Sequence, residues 1–501
     1  MARSAFWSIL GQAALFAASL LATPFTLRLL GPARYGLWSL LQTALRYLTL
    51  ADLGMASMST KYAAEEHARG DPHGEALVVW SAFAVTVALS TGVGLGVVVF
   101  GPTIVTLLHV PPSLQGEAAT ALRVLTVAVV GLAAANSLNT PQQVRLEWRS
   151  LTLATSGPAV VQILAAPVLL AVIGGGLIVM AATAAASATL AAILNFRISA
   201  RMQPALRVPR LGPRTVRLLL RSGLPLAAFG FAAIAVDGGE RFVLAHFRSP
   251  SAVSYYAVAY SLSSLFTVIP AAVAQPLLPV LSRLNSQGRL TELGAVYRQA
   301  LIAVFLVSSP LLLLLAFVAH AFLALWAGVT YGSHSTVPFY LMLGGLWLNT
   351  LAYIPFNQLV ASGETSLIAT VQVVEVVPYL ALTGFLTYQF GIVGAAIGWS
   401  LRCALDSLAF FTLVRFRYKL PWNPNPTNAG ANASLLVIIG ATMLALSQVT
   451  SSLPARTSWG CLLLLGYAYG AWRVVLTDSE RRGIAETILP LWRHLPGPRR
   501  R

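Results

Sequence analysis

Residues 28–54 read "RLLGPARYGLWSLLQTALRYLTLADLG". An apolar run from Phe6 to Leu30 is interrupted here by Arg28, a Gly31-Pro32 turn and Arg34, then resumes through Tyr35-Gly36-Leu37-Trp38. Crossing a bilayer takes about 20 mostly apolar residues, so both runs are long enough to span and the interruption reads as a hairpin corner. Gly31-Pro32 ends one helix, and Tyr35 and Trp38 carry amphipathic rings that favour the membrane interface. Arg3 followed by an apolar run also admits a cleaved signal peptide over residues 1–30. The length of the run and the lack of a small-x-small site at its end favour an uncleaved first helix.

The composition extends this reading to the whole chain. Of 501 residues 10% are charged and 57% hydrophobic, and the mean hydropathy is +0.74. A soluble chain of that length needs a far more polar surface, so the class is an all-α polytopic membrane protein. Fourteen candidate spans follow, from 6–28 and 36–57, through 223–246 and 252–274, to 432–449 and 457–476. With the N-terminus in the cytoplasm, inner segments hold 24 of the 33 Lys+Arg, outer loops hold Arg34, Arg248 and Arg456, and six lie within spans. Loop 197–221 alone carries seven arginines and no acid. That asymmetry is the positive-inside pattern and places both termini in the cytoplasm. The net charge of +17 is then a topology signal and a contact with anionic membrane lipids. The basic tail "GPRRR" comes with no nucleic-acid-binding motif, so no nucleic-acid partner is expected. Cys403 and Cys461 fall in apolar spans and read as small buried hydrophobes.

The chain also matches itself at a shift of 215 residues. "PQQVRLEWRSLTLAT" (141–155) lies over "FNQLVASGETSLIAT" (356–370), pairing Gln143 with Gln358, Ala154 with Ala369 and Thr155 with Thr370. Without a gap Gly176 falls on Gly391 and Ala181 on Ala396; a slightly larger shift pairs Gly70 with Gly288. Six spans per copy imply two bundles in parallel repeat around a central cavity. The expected organisation is an N-terminal six-helix bundle (1–196), a basic cytoplasmic linker (197–222), a second six-helix bundle (223–416), an appended transmembrane hairpin (417–480) and a basic cytoplasmic tail (481–501).

Three segments carry a family resemblance. The 28–54 stretch resembles the first-hairpin signature of bacterial polysaccharide flippases, the O-antigen-type transporters of the multidrug/oligosaccharidyl-lipid/polysaccharide exporter superfamily. "ERFVLAHFRSPSAVSYYAVAYSL" (240–262) is similar to the family's acidic-Arg pair, turn and Tyr-containing helix, and "FGIVGAAIGWS" (390–400) resembles its Gly-Ile-x-Gly-Ala-Ala corner. The resemblance covers the first twelve spans. It implies alternating-access flipping of a lipid-linked oligosaccharide, a polyprenyl-diphosphate sugar, from the cytoplasmic to the outer leaflet. The product would feed O-antigen, capsule, exopolysaccharide, lipopolysaccharide or peptidoglycan assembly, with polysaccharide polymerase machinery as a partner.

Ionisable groups inside spans point independently to a site, because each costs about 2.5–3.5 kcal/mol at a helix centre. Eleven arginines and carboxylates qualify: Arg28, Arg46, Asp52, Arg123, Asp237, Glu240, Arg241, Glu375, Arg402, Asp406 and Arg473. Asp237 with Arg241 and Arg402 with Asp406 are four apart, so each pair shares a helix face and can be a structural ion pair. Asp52 can equally brace a helix end in "LADLG", and Arg28, Arg123 and Arg473 can snorkel to headgroups. Arg46 has no acid three or four residues away, and the 36–57 span puts it at mid-depth; a planar guanidinium there suits bidentate contact with a phosphate. The substrate-binding candidates are therefore Arg46, Arg402, Arg28 and Arg241. Glu375, Asp406, Asp52, Asp237 and Glu240 are candidates for coupling a proton or sodium ion, or for salt bridges. Short outer loops poor in acids, and the absence of HExxH, a nucleophile elbow or a phosphate loop, argue against a membrane-embedded sugar polymerase or transferase. No catalytic residue, metal or cofactor is expected. A multidrug exporter of the same superfamily shares the plan; several arginines favour an anionic cargo over cationic drugs.

Overall fold

The computed structural model describes residues 2–49, 52–236, 238–420, 429–450, 452–478 and 481. Among them the chain is all-helical. In order, the helices are α1 (Ala2–Thr49), α2 (Met55–Ala68), α3 (Pro72–Leu107), α4 (Pro112–Leu138), α5 (Thr140–Val144), α6 (Trp148–Ile173), α7 (Gly176–Met202), α8 (Pro213–Val236) and α9 (Gly239–Phe247). They continue as α10 (Pro250–Ser263), α11 (Val268–Ser286), α12 (Leu290–Trp326), α13 (Val329–Ala361), α14 (Thr365–Phe390), α15 (Ile392–Tyr418), α16 (Ala429–Val449) and α17 (Leu453–Gly470). Helices dominate because a bilayer offers backbone N–H and C=O groups no partner, so each segment must satisfy its own.

Ten helices among the described residues are long and apolar enough to cross a membrane; the protein is a multi-pass membrane protein. That number is lower than the fourteen read from the sequence for identifiable reasons. The first two expected spans are joined in one element, Ile9–Thr49, whose backbone leaves helical geometry at Gly31 (φ 72°, ψ 169°). The residue before a proline avoids the α region, and Pro32 is suited to the first turn of the next helix, so the corner is a kink without a loop. Residues 213–236 form α8 and 239–247 form α9, 250–286 are divided among α10, a short 3-10 turn (Ser264–Thr267) and α11, and α17 is not among the ten.

The helices gather into two units, Met1–Ala257 with Thr387–Ile392, and Val258–Leu386 with Val393–Arg501. The division falls beyond the basic segment 197–222, because α8 packs on α2 and α3, and α9 packs on α1. In the first unit α4 lies against α7 and α3, and α1 against α6. Asp71 caps α3, its Oδ1 accepting from the His73 and Gly74 N–H groups at 2.9 Å. The Gly74 bond is the main reason its carboxyl titrates below the usual range. Glu75, one turn into α3 and 1% exposed, accepts both arms of Arg145 at 2.5 and 3.0 Å and Gln203 Nε2 at 3.0 Å. His67 Nδ1 lies 3.3 Å away. That carboxylate ties together the ends of α2, α3, α5 and α7.

At the opposite end of α3, Arg34 Nε donates to Glu117 at 2.9 Å, and the Leu177 N–H donates to the same carboxylate at 2.6 Å. The corner has a counterpart 214 residues on, where Arg248 Nη2 donates to the Tyr388 carbonyl at 2.9 Å. Arg34 borders Gly176 as Arg248 borders Gly391, and both glycines have left-handed backbone, φ 53° and 61°. Gly70 and Gly288 likewise share φ 73° and 67°. Two landmarks of the sequence repeat, each a pair of glycines, thus recur as backbone conformation.

In the second unit α12 packs on α13, α11 and α17. One apolar cluster joins Leu281, Tyr297, Leu301, Ile354, Leu359 and Phe410; another joins Phe317, Ile439, Met443 and Tyr467, seating the α16–α17 hairpin on α12.

Gly36 is the closest backbone approach in the first unit: a Cβ there would overlap the Pro250 carbonyl. Gly36→Ala should therefore force α1 from α10 and lower stability by about 1–3 kcal/mol. Gly466→Ala, which meets open space, should leave the melting temperature unchanged. Fluorescence-detected thermal melts of the two variants in detergent decide it, and an unshifted Gly36→Ala melt would show that the contact yields.

Candidate functional site

The most developed intramembrane charge cluster lies in the second unit, where α14 and α15 face each other. Glu375 is near the middle of α14 and Arg402 near the middle of α15. Arg402 Nη1 sits 3.0 Å from Asp406 Oδ2, one turn along the same helix, and 3.4 Å from Glu375 Oε1 across the helix pair. All three side chains are largely buried, at 12%, 5% and 15% exposure. The guanidinium also lies over the rings of Tyr379, at 5.7 Å, and Trp399, at 5.9 Å. A cavity of about 340 Å³ opens onto Glu375, Tyr379, Arg402 and Asp406, with Pro378 and Gly398 in its wall.

The cluster has spare capacity. Two carboxylates face one guanidinium, so the formal charge with all three ionised is −1. Among the described residues Asp406 Oδ1, Arg402 Nε and Trp399 Nε1 are buried with no hydrogen-bond partner. A buried acceptor, two buried donors and one carboxylate beyond what the guanidinium can neutralise, all beside a cavity, suit the exchange of a proton or small cation, with the guanidinium holding the carboxylates in place.

In the first unit Arg241, on α9, donates from Nη1 to Thr43 Oγ1 of α1 at 3.2 Å, and its Nε is 4.0 Å from Glu240, which is fully buried. The Phe242 ring meets Tyr47 edge-on at 5.7 Å, fixing the same two helices together. Arg46 lies one turn beyond Thr43 and is exposed. The described part of its helix runs to Thr49 with Arg46 in its last turn, and the positive φ at Leu53 and Gly54 leaves no continuous 36–57 helix with Arg46 at its middle. Leu53 and Gly54 have positive φ (49° and 72°), and the Asp52 carboxylate accepts from the Gly54 N–H at 2.9 Å; this turn separates α1 from α2.

The remaining candidates are spread over the helices. Arg28 is exposed on α1 ahead of the kink, and Arg123 is exposed on α4. Arg473 lies over the Tyr469 ring at 5.7 Å. Asp237, expected to pair with Arg241, lies outside the described residues. Glu375, alone on its helix in sequence, is joined to Arg402 across the helix pair. Sequence reasoning missed the Glu75–Arg145 pair because neither residue is among the ionisable groups placed inside the expected spans; a carboxylate one turn inside a capped apolar helix was the available signal.

Removing the cation exposes what it holds. Arg402→Gln should destabilise the protein by about 3–5 kcal/mol, because two buried carboxylates lose their counter-charge. Adding Glu375→Gln and Asp406→Asn to it should recover most of the loss. Melting temperatures of the single and triple variants read this directly; a triple variant no more stable than Arg402→Gln alone would show that the coupling is not electrostatic.

Comparison with known proteins places this fold. Over 94% of its length the chain superimposes on 99% of a lipid II flippase, MurJ, in an inward closed conformation, with a TM-score of 0.74 and 12% identity. Over 81% it superimposes on 94% of an inward-facing multidrug resistance MATE family transporter of the MOP superfamily, at 0.69 and 14%. In sequence it is 30% identical over 169 residues to a Shigella flexneri protein described as a candidate O-antigen transporter, a match covering 34% of this chain and 40% of that one. A Haloferax volcanii protein described as a candidate flippase of low-salt glycan biosynthesis is 24% identical over 185 residues, covering 35% and 38%. The chain thus spans about two fifths of the length of the curated relatives it matches. Residues 1–285 match the family described as "Polysaccharide biosynthesis protein", and with more than half of its length matched the chain belongs to that family.

Proposed function

We propose that the protein flips a lipid-linked oligosaccharide, a sugar chain on a polyprenyl diphosphate, from the cytoplasmic to the outer leaflet for cell-surface polysaccharide biosynthesis. The observation that carries this reading is the family match across residues 1–285, a region that also holds Arg28 and Arg46 on a helix long and apolar enough to cross a membrane and Arg241 on α9, beside Thr43 of that helix. Guanidinium groups are planar, permanently charged and matched to phosphate oxygens, and a diphosphate is the part of such a substrate that hydrocarbon rejects most strongly. Arg46, Arg28, Arg241 and Arg402 are assigned to the substrate; Glu375 and Asp406 are assigned to a coupling proton or sodium ion. The fold is common to a lipid II flippase and to multidrug transporters, so it does not choose between anionic and cationic cargo. Arginine-rich membrane helices favour the anion.

The proposed topology has fourteen spans, two six-helix bundles (1–196 and 223–416) alternating between inward- and outward-open states around a central cavity, and both termini in the cytoplasm of a bacterium. The 417–480 hairpin and the 481–501 tail stand outside the repeat. Polymerase machinery would take the product on the outer face. Reporter fusions at Arg210 should read cytoplasmic and one at Gly328 periplasmic; an external reading at Arg210 would sink this arrangement.

The substrate reading is tested in cells lacking the gene, where lipid-linked oligosaccharide should accumulate in the inner leaflet. At equal protein level Arg46→Ala should restore transport least, Arg46→Lys partly, since lysine keeps the charge and loses the planar fork, and Arg123→Ala nearly fully. Full rescue by Arg46→Ala would remove that guanidinium from phosphate recognition. No accumulation, together with restored resistance to cationic drugs, would favour the exporter reading instead.

A further inference from the structure

The α16–α17 hairpin lies outside the sequence repeat, yet it completes a cavity of about 500 Å³ against α12 and α13. Leu313, Ala316, Phe317 and His320 on α12, and Gly440, Met443, Leu444 and Ser447 on α16, line it. Each set follows the i, i+3, i+4, i+7 spacing that places residues on one helix face, so two faces run side by side for about 10 Å of helix. Polarity changes along that length. Leu313 and Gly440 stand at one end, and His320, Ser447 and Arg456 at the other, with Tyr340 and Thr336 of α13 closing the side.

Arg456 is held in place at the polar end. Its Nε donates to the Thr450 carbonyl at 2.8 Å, Nη2 to Ser447 at 3.1 Å and Nη1 to Phe317 at 3.3 Å. Two of these carbonyls belong to the end of α16, where helix groups lack intrahelical partners and carry partial negative charge. A guanidinium has five N–H donors, so two remain on the terminal nitrogens. No carboxylate lines the cavity, and Arg456 forms no ion pair among the described residues. A permanent cation with two unused donors thus stands at the mouth of an apolar slot.

We propose that this slot binds one anionic phospholipid of the bilayer, its phosphate on Arg456 and His320 and an acyl chain along Leu313, Phe317, Gly440 and Leu444. Charge complementarity selects the anionic headgroup, and the length and apolar walls of the slot suit a single chain. The hairpin's contribution is then a lipid-filled seam between α16–α17 and α12–α13. The assignment is independent of the cargo proposed above. The leaflet follows from the proposed topology, which puts the Ser447 end of α16 and the Arg456 end of α17 at the outer face.

Native mass spectrometry of the full-length protein, delipidated in detergent and titrated with phosphatidylglycerol or phosphatidylethanolamine, tests it. The wild type should retain one phosphatidylglycerol in preference to phosphatidylethanolamine. Arg456→Gln should weaken phosphatidylglycerol about tenfold, the scale of a lost charge-assisted contact, and bring the two lipids level. Gly440→Phe should abolish retention of both: a Cβ at Gly440 meets only the Leu313 side chain, at 3.8 Å, so the ring fills the slot while the Arg456 cap is untouched. If Arg456→Gln does not fold, Gly440→Phe decides alone. Equal retention of the two lipids by the wild type, or undiminished phosphatidylglycerol on Gly440→Phe, would overturn the proposal. Displacement of phosphatidylglycerol by an equal concentration of polyprenyl phosphate would also overturn it, by giving the slot to the carrier lipid. Inorganic phosphate at millimolar concentration should not displace the lipid; if it does, the site reads a free anion and the acyl-chain assignment falls.

Discussion

A charge carried into hydrocarbon must be answered by another group of the protein, and Arg402 shows how tightly that constrains a membrane helix pair. Its guanidinium reaches Asp406 one turn away and Glu375 across the gap to the next helix, while two aromatic faces cover it. Alone, any of the three groups would cost several kcal/mol where it stands. Together they leave one carboxylate in excess. That excess separates a candidate working site from an inert staple such as Glu75–Arg145, where both carboxylate oxygens are engaged and the charges match one to one.

The same logic organises the helix ends. Arg34 with Glu117 at one corner, and Arg248 with a carbonyl of the 388–391 corner at the other, join turns that sequence distance separates widely. Each corner needs a left-handed glycine beside the arginine, at Gly176 and Gly391, because a side chain there would strain the backbone and crowd the guanidinium. A repeat that looks degenerate among alanine-rich helices is therefore most faithful at its turns. Apolar spans tolerate exchange of one aliphatic residue for another; a turn with positive φ does not.

Fold and charge carry different weight in the functional reading. The fold is shared with a lipid II flippase and with multidrug transporters, and functions are grafted onto folds through particular sites. The proposal of an anionic, lipid-borne cargo therefore stands on family membership and on which residues sit inside the helices. The α16–α17 hairpin adds a second cation, Arg456, in a setting with no carboxylate among the cavity's walls, and so a different ligand chemistry from the cluster around Arg402.

What the sequence determined by itself was class and punctuation: a helical membrane protein, the corner at Gly31-Pro32, the glycines of the repeat, and the Arg402–Asp406 pair at helical spacing. These are local properties, set by hydropathy over some twenty residues or by backbone preferences over two or four. Tertiary structure alone decided that Glu375 completes the Arg402 pair, that Glu75 lies under Arg145 and Gln203, that Arg46 stands in the last turn of its helix, and that Arg456 faces an apolar slot. Each depends on which helices become neighbours or on where a helix stops. Helix packing is set by the summed fit of many side chains, and no single stretch of sequence records it.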